Sequence, residues 1–208
     1  MSAPRIIGGK ARGIRLESVP GDATRPITDR VKEALCNIIS AEIQDATFLD
    51  LFGGIGSVGI EALSRGAKSC LFLEINDKAI AAIKTNLEKT GTLDLGRVKR
   101  MDALKFLSSP CTEAFDYVYI APPQYKEIWV DALKLLDQNM NLLSEDGWVI
   151  ARIHPVEYQT LNWSTSSNLI NENMAQPPWF FTREGNESTP LPGCDPLTQV
   201  VVLILAKE

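Results

Sequence analysis

Phe48-Leu-Asp-Leu-Phe-Gly-Gly-Ile-Gly-Ser-Val-Gly-Ile-Glu-Ala-Leu-Ser-Arg65 contains three local patterns in one short span. The apolar run from Thr47 to Leu51 has strand character. Glycines at 53, 54, 56 and 59 then break it, and apolar residues resume at helical spacing through Ile60 and Leu63. The stretch reads as strand, tight turn, helix. Glycines at such a turn permit positive φ and let a ligand approach the backbone, while the first amides of the following helix offer unpaired donors. A nucleotide-like ligand is therefore expected.

Gly54-Ile-Gly-Ser-Val-Gly59 formally satisfies G-x-G-x-x-G, the dinucleotide fingerprint, and Glu74, at the end of the next apolar run, is placed to take a ribose hydroxyl. Asp50, Phe52 and the doubled glycine add a second spelling, D-x-F-x-G-x-G. It resembles the first motif of S-adenosylmethionine methyltransferases. That resemblance implies that Asp50, Phe52, Gly53, Gly54 and Gly56 face the methionine end of the ligand. A dehydrogenase would need a partner for hydride chemistry, and His154 is the chain's single histidine.

Outward from the turn, strand and helix alternate. Cys70–Leu73 reads as a second strand, Lys78–Leu87 as a helix ending before Gly91, and Val98 to about Asp102 as a third strand. Ala103–Leu107 is expected as a short helix and Phe115–Ile120 as a strand stopping near Pro122-Pro123. A helix over Ile128–Leu136, a turn at Asp146-Gly147, a strand over Trp148–Arg152 and a final strand over Val200–Leu205 complete the series. This is the pattern of an α/β fold with a parallel sheet and helices on both faces. Ligands in such sheets bind beyond the carboxyl ends of the strands, which places Asp50, Glu74, Asp102 and Ala121-Pro122-Pro123 around one crevice. Acids at three strand ends suit a cationic, hydroxyl-rich ligand, with Asp50 toward an amino-acid end, Glu74 toward ribose and Asp102 toward an adenine amine.

With 208 residues and 45% apolar content, one α/β domain plus a modest appendage is expected, with residues 1–40 as an arm and 41–208 as the ligand-binding domain. No apolar run reaches membrane-spanning length, so a soluble, intracellular protein is expected. Cys36, Cys70, Cys111 and Cys194 are scattered and lack a C-x-x-C pair, which suggests neither zinc nor a disulfide framework. Net charge is −5, but residues 1–35 hold seven basic groups against four acids and carry +3, leaving −8 elsewhere. A polyanion would therefore land on the N-terminal arm, at Arg5, Lys10, Arg12, Arg15, Arg25 and Arg30. Glycine and proline interrupt this arm, and Arg5-Ile6-Ile7 with Ile14-Arg15-Leu16 could pair as a hairpin. Thr28 then opens a helix with an apolar stripe at Val31, Leu35, Ile38 and Ile39.

Arg5-Ile-Ile-Gly-Gly-Lys10, Thr24-Arg25-Pro26 with Thr28-Asp-Arg-Val-Lys-Glu-Ala-Leu35, and Leu49-Asp-Leu-Phe52 with Gly59-Ile-Glu-Ala-Leu-Ser-Arg-Gly-Ala67 occur in one order. Together they resemble the RsmD-type small-subunit ribosomal RNA guanine-N2 methyltransferases over about residues 5–125. The resemblance implies a Rossmann-like methyltransferase with a mostly parallel twisted sheet, helices on both faces and an antiparallel C-terminal strand. It also implies S-adenosylmethionine as cofactor, Ala103 beside Asp102 in its pocket, no metal, and a cytoplasmic or plastid-stroma setting. The implied partner is small-subunit rRNA or the assembling small subunit, held on the arm with a guanine extruded into the crevice. The family's fourth motif is Asp-Pro-Pro followed by an aromatic residue; here it reads Ala121-Pro122-Pro123-Gln124-Tyr125. The acidic acceptor is missing. Ala121 or Pro122 carbonyls with the Gln124 amide can replace it while Tyr125 stacks on the base. An inactive or altered-substrate binder is the alternative.

Overall fold

The computed structural model describes residues 4–19, 27–39, 42–123, 126–153 and 201–206. The chain divides into two compact units, Met1–Ala103 and Leu104–Glu208. The segment expected as an arm, residues 1–40, falls within the first.

In the first unit three parallel strands lie in the order β3-β2-β1: β1 (Thr47–Asp50), β2 (Ser69–Glu74) and β3 (Gly96–Arg100). Leu49 stands opposite Leu71, and Phe72 opposite Val98. β1 and β2 are nearly continuous apolar runs and are buried, as strands covered on both faces must be. β3 is more exposed and carries Arg97, Lys99 and Arg100, charges that discourage pairing with another chain. The helices of this unit are α1 (Asp29–Ile39), α2 (Ser57–Ser64) and α3 (Asp77–Lys89).

Local chemistry accounts for the helix ends. At α1, Thr28 Oγ1 accepts the Val31 amide at 3.4 Å, as expected of its N-cap. Asn76 caps α3 by accepting from the Lys78 and Ala79 amides. Beyond Lys89, Gly91 turns left-handed at φ +66°, and the Thr92 amide returns to the Leu87 carbonyl at 2.9 Å. Every residue of α2 is buried, which matches a helix apolar on nearly all sides. It lies so close to β2 that a Cβ on Gly59 would stand 2.3 Å from the Phe72 ring and 2.6 Å from Cys70 Sγ.

The N-terminal arm makes the expected antiparallel pairing only as a single bridge between Arg5 and Arg15. The Ile6 amide bonds to the Ile14 carbonyl at 2.9 Å and the Gly13 amide to the Ile6 carbonyl at 2.8 Å. Ile6, Ala11 and Leu16 are buried, so the arm is anchored by its own apolar side chains.

In the second unit, α4 (Ala103–Leu107) leads from the boundary to β4 (Phe115–Ile120), α5 (Ile128–Gln138), β5 (Leu143–Ile153) and β6 (Val201–Ala206). β5 runs parallel to β4 and β6 antiparallel to β5, with Trp148 opposite Ala206. One expectation needs correction here. Asp146-Gly147 is not a turn preceding a strand; both residues lie inside β5, whose pairing with β4 shifts register between Phe115 and Tyr117. The extra residues are accommodated as an irregularity, where a Cβ on Gly147 would meet Leu143 Cγ at 2.6 Å. Short 3-10 turns at Leu93–Leu95 and Met140–Leu142 were not legible in the sequence. The proline-rich segment 172–196, with Pro177 to Phe181, lies outside the described residues.

Candidate active site

At the carboxyl ends of the three strands of the first unit stand the expected acids. Asp50 closes β1, Glu74 closes the neighbouring β2, and Asp102 follows β3, where the Met101 amide bonds to the Glu74 carbonyl at 3.2 Å. Ala103, buried, opens α4 beside Asp102. Phe52 and Gly54 are half-buried within the turn between β1 and α2. That turn is backbone-built: the Gly53 amide reaches the Leu73 carbonyl at 2.8 Å and the Gly56 amide the Gly53 carbonyl at 2.7 Å. Gly54 and Gly56 adopt φ of +54° and +80°, which side-chain-bearing residues rarely tolerate. Gly56 is the N-cap of α2 and supplies no capping side chain.

Asp50 is 2% exposed. Its carboxylate accepts the backbone N–H groups of Phe52 and Gly59, yet Oδ1 has no partner among the described residues. Burial pushes its pKa from 3.8 to about 7, against the lowering effect of the two amides, with a smaller upward push from the Glu74 charge. A buried acceptor with spare capacity at a glycine turn suits a donor-bearing, cationic ligand group.

Glu74 has a further task that the sequence did not reveal. Its Oε2 accepts the Gly54 amide at 2.8 Å, while Oε1 accepts the Ile75 and Asn76 amides at 2.8 and 2.9 Å. The side chain thus clamps the glycine turn to the end of β2. Each oxygen has two lone pairs, so Glu74 can organise the turn and still accept a hydroxyl.

The arm's inner side meets α2 through side chains that sequence reasoning passed over. Glu61 is fully buried and accepts the Ile7 amide at 2.9 Å, the Gly8 amide at 2.7 Å and Arg65 Nε at 2.9 Å. Lys32 Nζ lies 3.4 Å from its other side. Ser64 Oγ accepts the Ala11 amide at 2.9 Å and donates to the Gly8 carbonyl at 2.7 Å. A glutamate in the middle of an otherwise apolar helix was the one available signal. Of the basic residues expected to meet a polyanion, Arg5, Lys10, Arg12 and Arg15 are exposed, and Arg5 Nε pairs with Asp29 at 2.8 Å. Arg25 and the side chain of Arg30 lie outside the described residues.

In the second unit, Ala121 and Pro122 are half-buried and Pro123 exposed just past β4; Gln124 and Tyr125 lie outside the described residues. Burial above all, and then the Glu61 charge, pushes the Cys36 thiol up to about 12, and burial also raises Cys70 well above its ordinary value. Both thiols stay protonated and unreactive at neutral pH. No group of three or more His, Cys, Asp or Glu suited to a metal occurs among the described residues, and no described helix is long and apolar enough to cross a membrane.

A family model described as conserved hypothetical protein 95 matches residues 4–174. YlbH of Bacillus subtilis strain 168 is 39% identical over 149 residues, which cover 71% of this chain and 80% of YlbH. Ribosomal RNA small subunit methyltransferase D of Escherichia coli K12 is 37% identical over 147 residues, 70% of this chain and 69% of its own. Among solved structures, the Escherichia coli protein yhhF aligns with a TM-score of 0.73 at 27% identity, covering 100% of this chain and 99% of its own. The fold is thus that of a Rossmann-like methyltransferase, a mostly parallel sheet flanked by helices and closed by the antiparallel β6. Within that class, the chain belongs to the RsmD family of small-subunit ribosomal RNA methyltransferases.

Proposed function

We propose that this protein transfers a methyl group from S-adenosylmethionine to the exocyclic N2 of a guanine in small-subunit ribosomal RNA. Family membership supports the coarser part, S-adenosylmethionine-dependent methylation of rRNA. The observation that carries the cofactor reading is the buried Asp50 carboxylate, with Oδ1 unpartnered beside a left-handed glycine turn. Asp50 would hold the cationic amino group, the backbone of Phe52, Gly53, Gly54 and Gly56 would line the methionine end, and Glu74 would accept the ribose hydroxyls. Asp102 and Ala103 would meet the adenine. When bound, S-adenosylmethionine supplies a methyl group made electrophilic by the adjacent sulfonium.

The rest of the work is positioning. The Ala121 or Pro122 carbonyl and the Gln124 amide oxygen would accept hydrogen bonds from the guanine amine and aim its lone pair. Pro123 would disfavour helical backbone at Pro122, and Tyr125 would stack on the base. Without the family's aspartate, no charged acceptor is available at Ala121, and the amine proton leaves to solvent during or after transfer. Arg5, Lys10, Arg12, Arg15, Arg25 and Arg30 would bind the phosphates of rRNA, free or within an assembling small subunit, in the cytoplasm. The relatives named above are bacterial, and nothing among them favours a plastid stroma.

Incubation with labelled S-adenosylmethionine and unmethylated small-subunit particles tests the proposal, with the modified nucleoside read by mass spectrometry. N2-methylguanosine is expected. Label on another base, or no label in RNA while calorimetry shows the ligand bound, would overturn it.

A further inference from the structure

Two buried side chains connect the N-terminal arm to the glycine turn, one on each side of Gly56. Lys32, fully buried on α1, donates from Nζ to the Arg5 carbonyl and to Ser57 Oγ at 3.3 Å, besides its pairing with Glu61. Asn86, fully buried on α3, donates from Nδ2 to the Ile55 carbonyl at 2.9 Å and the Glu17 carbonyl at 3.1 Å, and its Oδ1 accepts the Glu17 amide at 2.7 Å. Ile55 and Ser57 are the residues flanking Gly56. Each is tied through a single buried side chain to one end of the same arm.

Between those two ties the arm is locked down. Glu61 and Ser64 hold the backbone from Ile7 to Ala11, and the Lys10 amide reaches the Ser64 carbonyl at 2.7 Å. Contact is so close that a Cβ on Gly9, at φ +73°, would stand 1.8 Å from the Ser64 carbonyl oxygen. Polar groups this buried have few alternative partners, so losing the arm would take the Arg5 carbonyl from Lys32 and both Glu17 bonds from Asn86, leaving each only partly satisfied beside the turn.

We propose that Lys32 and Asn86 are positioning residues that make the arm a structural part of the cofactor turn, so that arm docking sets ligand affinity. RNA held on the arm's outer side and ligand held at the turn then strengthen each other by the same factor. This second statement rests on the RNA reading above; the first does not.

Calorimetry with S-adenosylhomocysteine on full-length variants, in the absence of RNA, tests the first statement. Ser64→Ala removes arm anchors at the end of α2 opposite Gly56; Lys32→Met cuts one tie and Lys32→Arg preserves its charge. Ser64→Ala and Lys32→Met should each weaken Kd about tenfold while retaining a cooperative melt, and Lys32→Arg should recover most of the affinity. Ser64→Ala alone carries the test if Lys32→Met does not fold. Wild-type Kd in the folded variants would overturn the proposal. Binding of a small-subunit RNA fragment is then measured with and without S-adenosylhomocysteine. Wild type should bind RNA more tightly with ligand, and Ser64→Ala should lose that enhancement; equal enhancement in both would overturn the coupling. Failure of wild type to bind RNA at all would overturn the RNA reading, while the calorimetry still decides whether the arm sets the turn.

Discussion

Asp50 and Glu61 are both buried carboxylates of the first unit, one at the end of β1 and one in the middle of α2, and the chain treats them oppositely. Glu61 receives two backbone amides, Arg65 and Lys32. Among the described residues Asp50 receives two backbone amides and no cation, and one of its oxygens has no partner. Desolvating a carboxylate is costly in either place. At Glu61 that cost is offset from within the chain, which marks a seam between arm and helix. At Asp50 it is left open, which marks a place where something from outside completes the set.

Breaking the closed side of this comparison should have the largest effect. Glu61→Ala strands the Lys32 ammonium, whose side chain is 1% exposed, together with the Ile7 and Gly8 amides. Removing one partner of a buried pair typically costs about 3–5 kcal/mol. Urea denaturation followed by circular dichroism should show that loss in the first unit. A change below about 1 kcal/mol would mean that Lys32 reaches water easily and that the seam is weaker than its geometry implies.

On the open side, Asp50→Asn should act in the opposite direction on stability and strongly on binding. A folded-state pKa of about 7, raised from 3.8, means the native protein holds a proton that the unfolded chain has already lost between those values. Stability should therefore fall as pH rises from about 4 to about 7, at up to ~1.4 kcal/mol per pH unit from this group, then level off. Asp50→Asn should remove that slope, so that variant and wild type match near pH 4 and the variant is the more stable at pH 8. S-adenosylmethionine affinity should meanwhile drop on the order of 100-fold, because a buried charged partner is lost. A cationic ligand favours the ionised carboxylate. Wild-type binding at neutral pH should accordingly release a fraction of a proton, detectable by calorimetry in buffers of different ionisation enthalpy. Unchanged affinity in Asp50→Asn would remove Asp50 from the cofactor site.

The open carboxylate was legible in the sequence and the closed one was not, for a physical reason. Asp50 sits where strand period, glycine chemistry and the rule for strand ends all coincide within a few residues, and β4 and α4 were equally readable from local pattern. Glu61 has its meaning through Ile7, Gly8 and Lys32, partners distant in sequence that no local periodicity reports. Gly8-Gly9 read simply as helix breakers, whereas the structure shows they permit close approach to Ser64 and Arg65. The Asp146-Gly147 pair was misread for a related reason. Its composition favours a turn, but β4 pairs with β5 on both sides of it, at Leu143 and at Trp148, and the pair is carried inside the strand as an irregularity.

The smallest expected effect separates the two sides of the arm itself. Its inner side is closed against α2, while Arg12 and Arg15 are exposed. Arg12→Ala and Arg15→Ala should each change stability by less than about 0.5 kcal/mol, as substitutions remote from buried networks do. S-adenosylmethionine affinity in the absence of RNA should stay at the wild-type value, in contrast to Ser64→Ala. If these arginines hold phosphates, each substitution should lower the slope of log K against log salt by about 0.7–0.9 and weaken RNA fragments of unrelated sequence to a similar degree. Fluorescence anisotropy across a salt series measures both quantities. An unchanged slope in both variants would take the polyanion off this face of the arm, and the comparison would then rest on Asp50 and Glu61 alone.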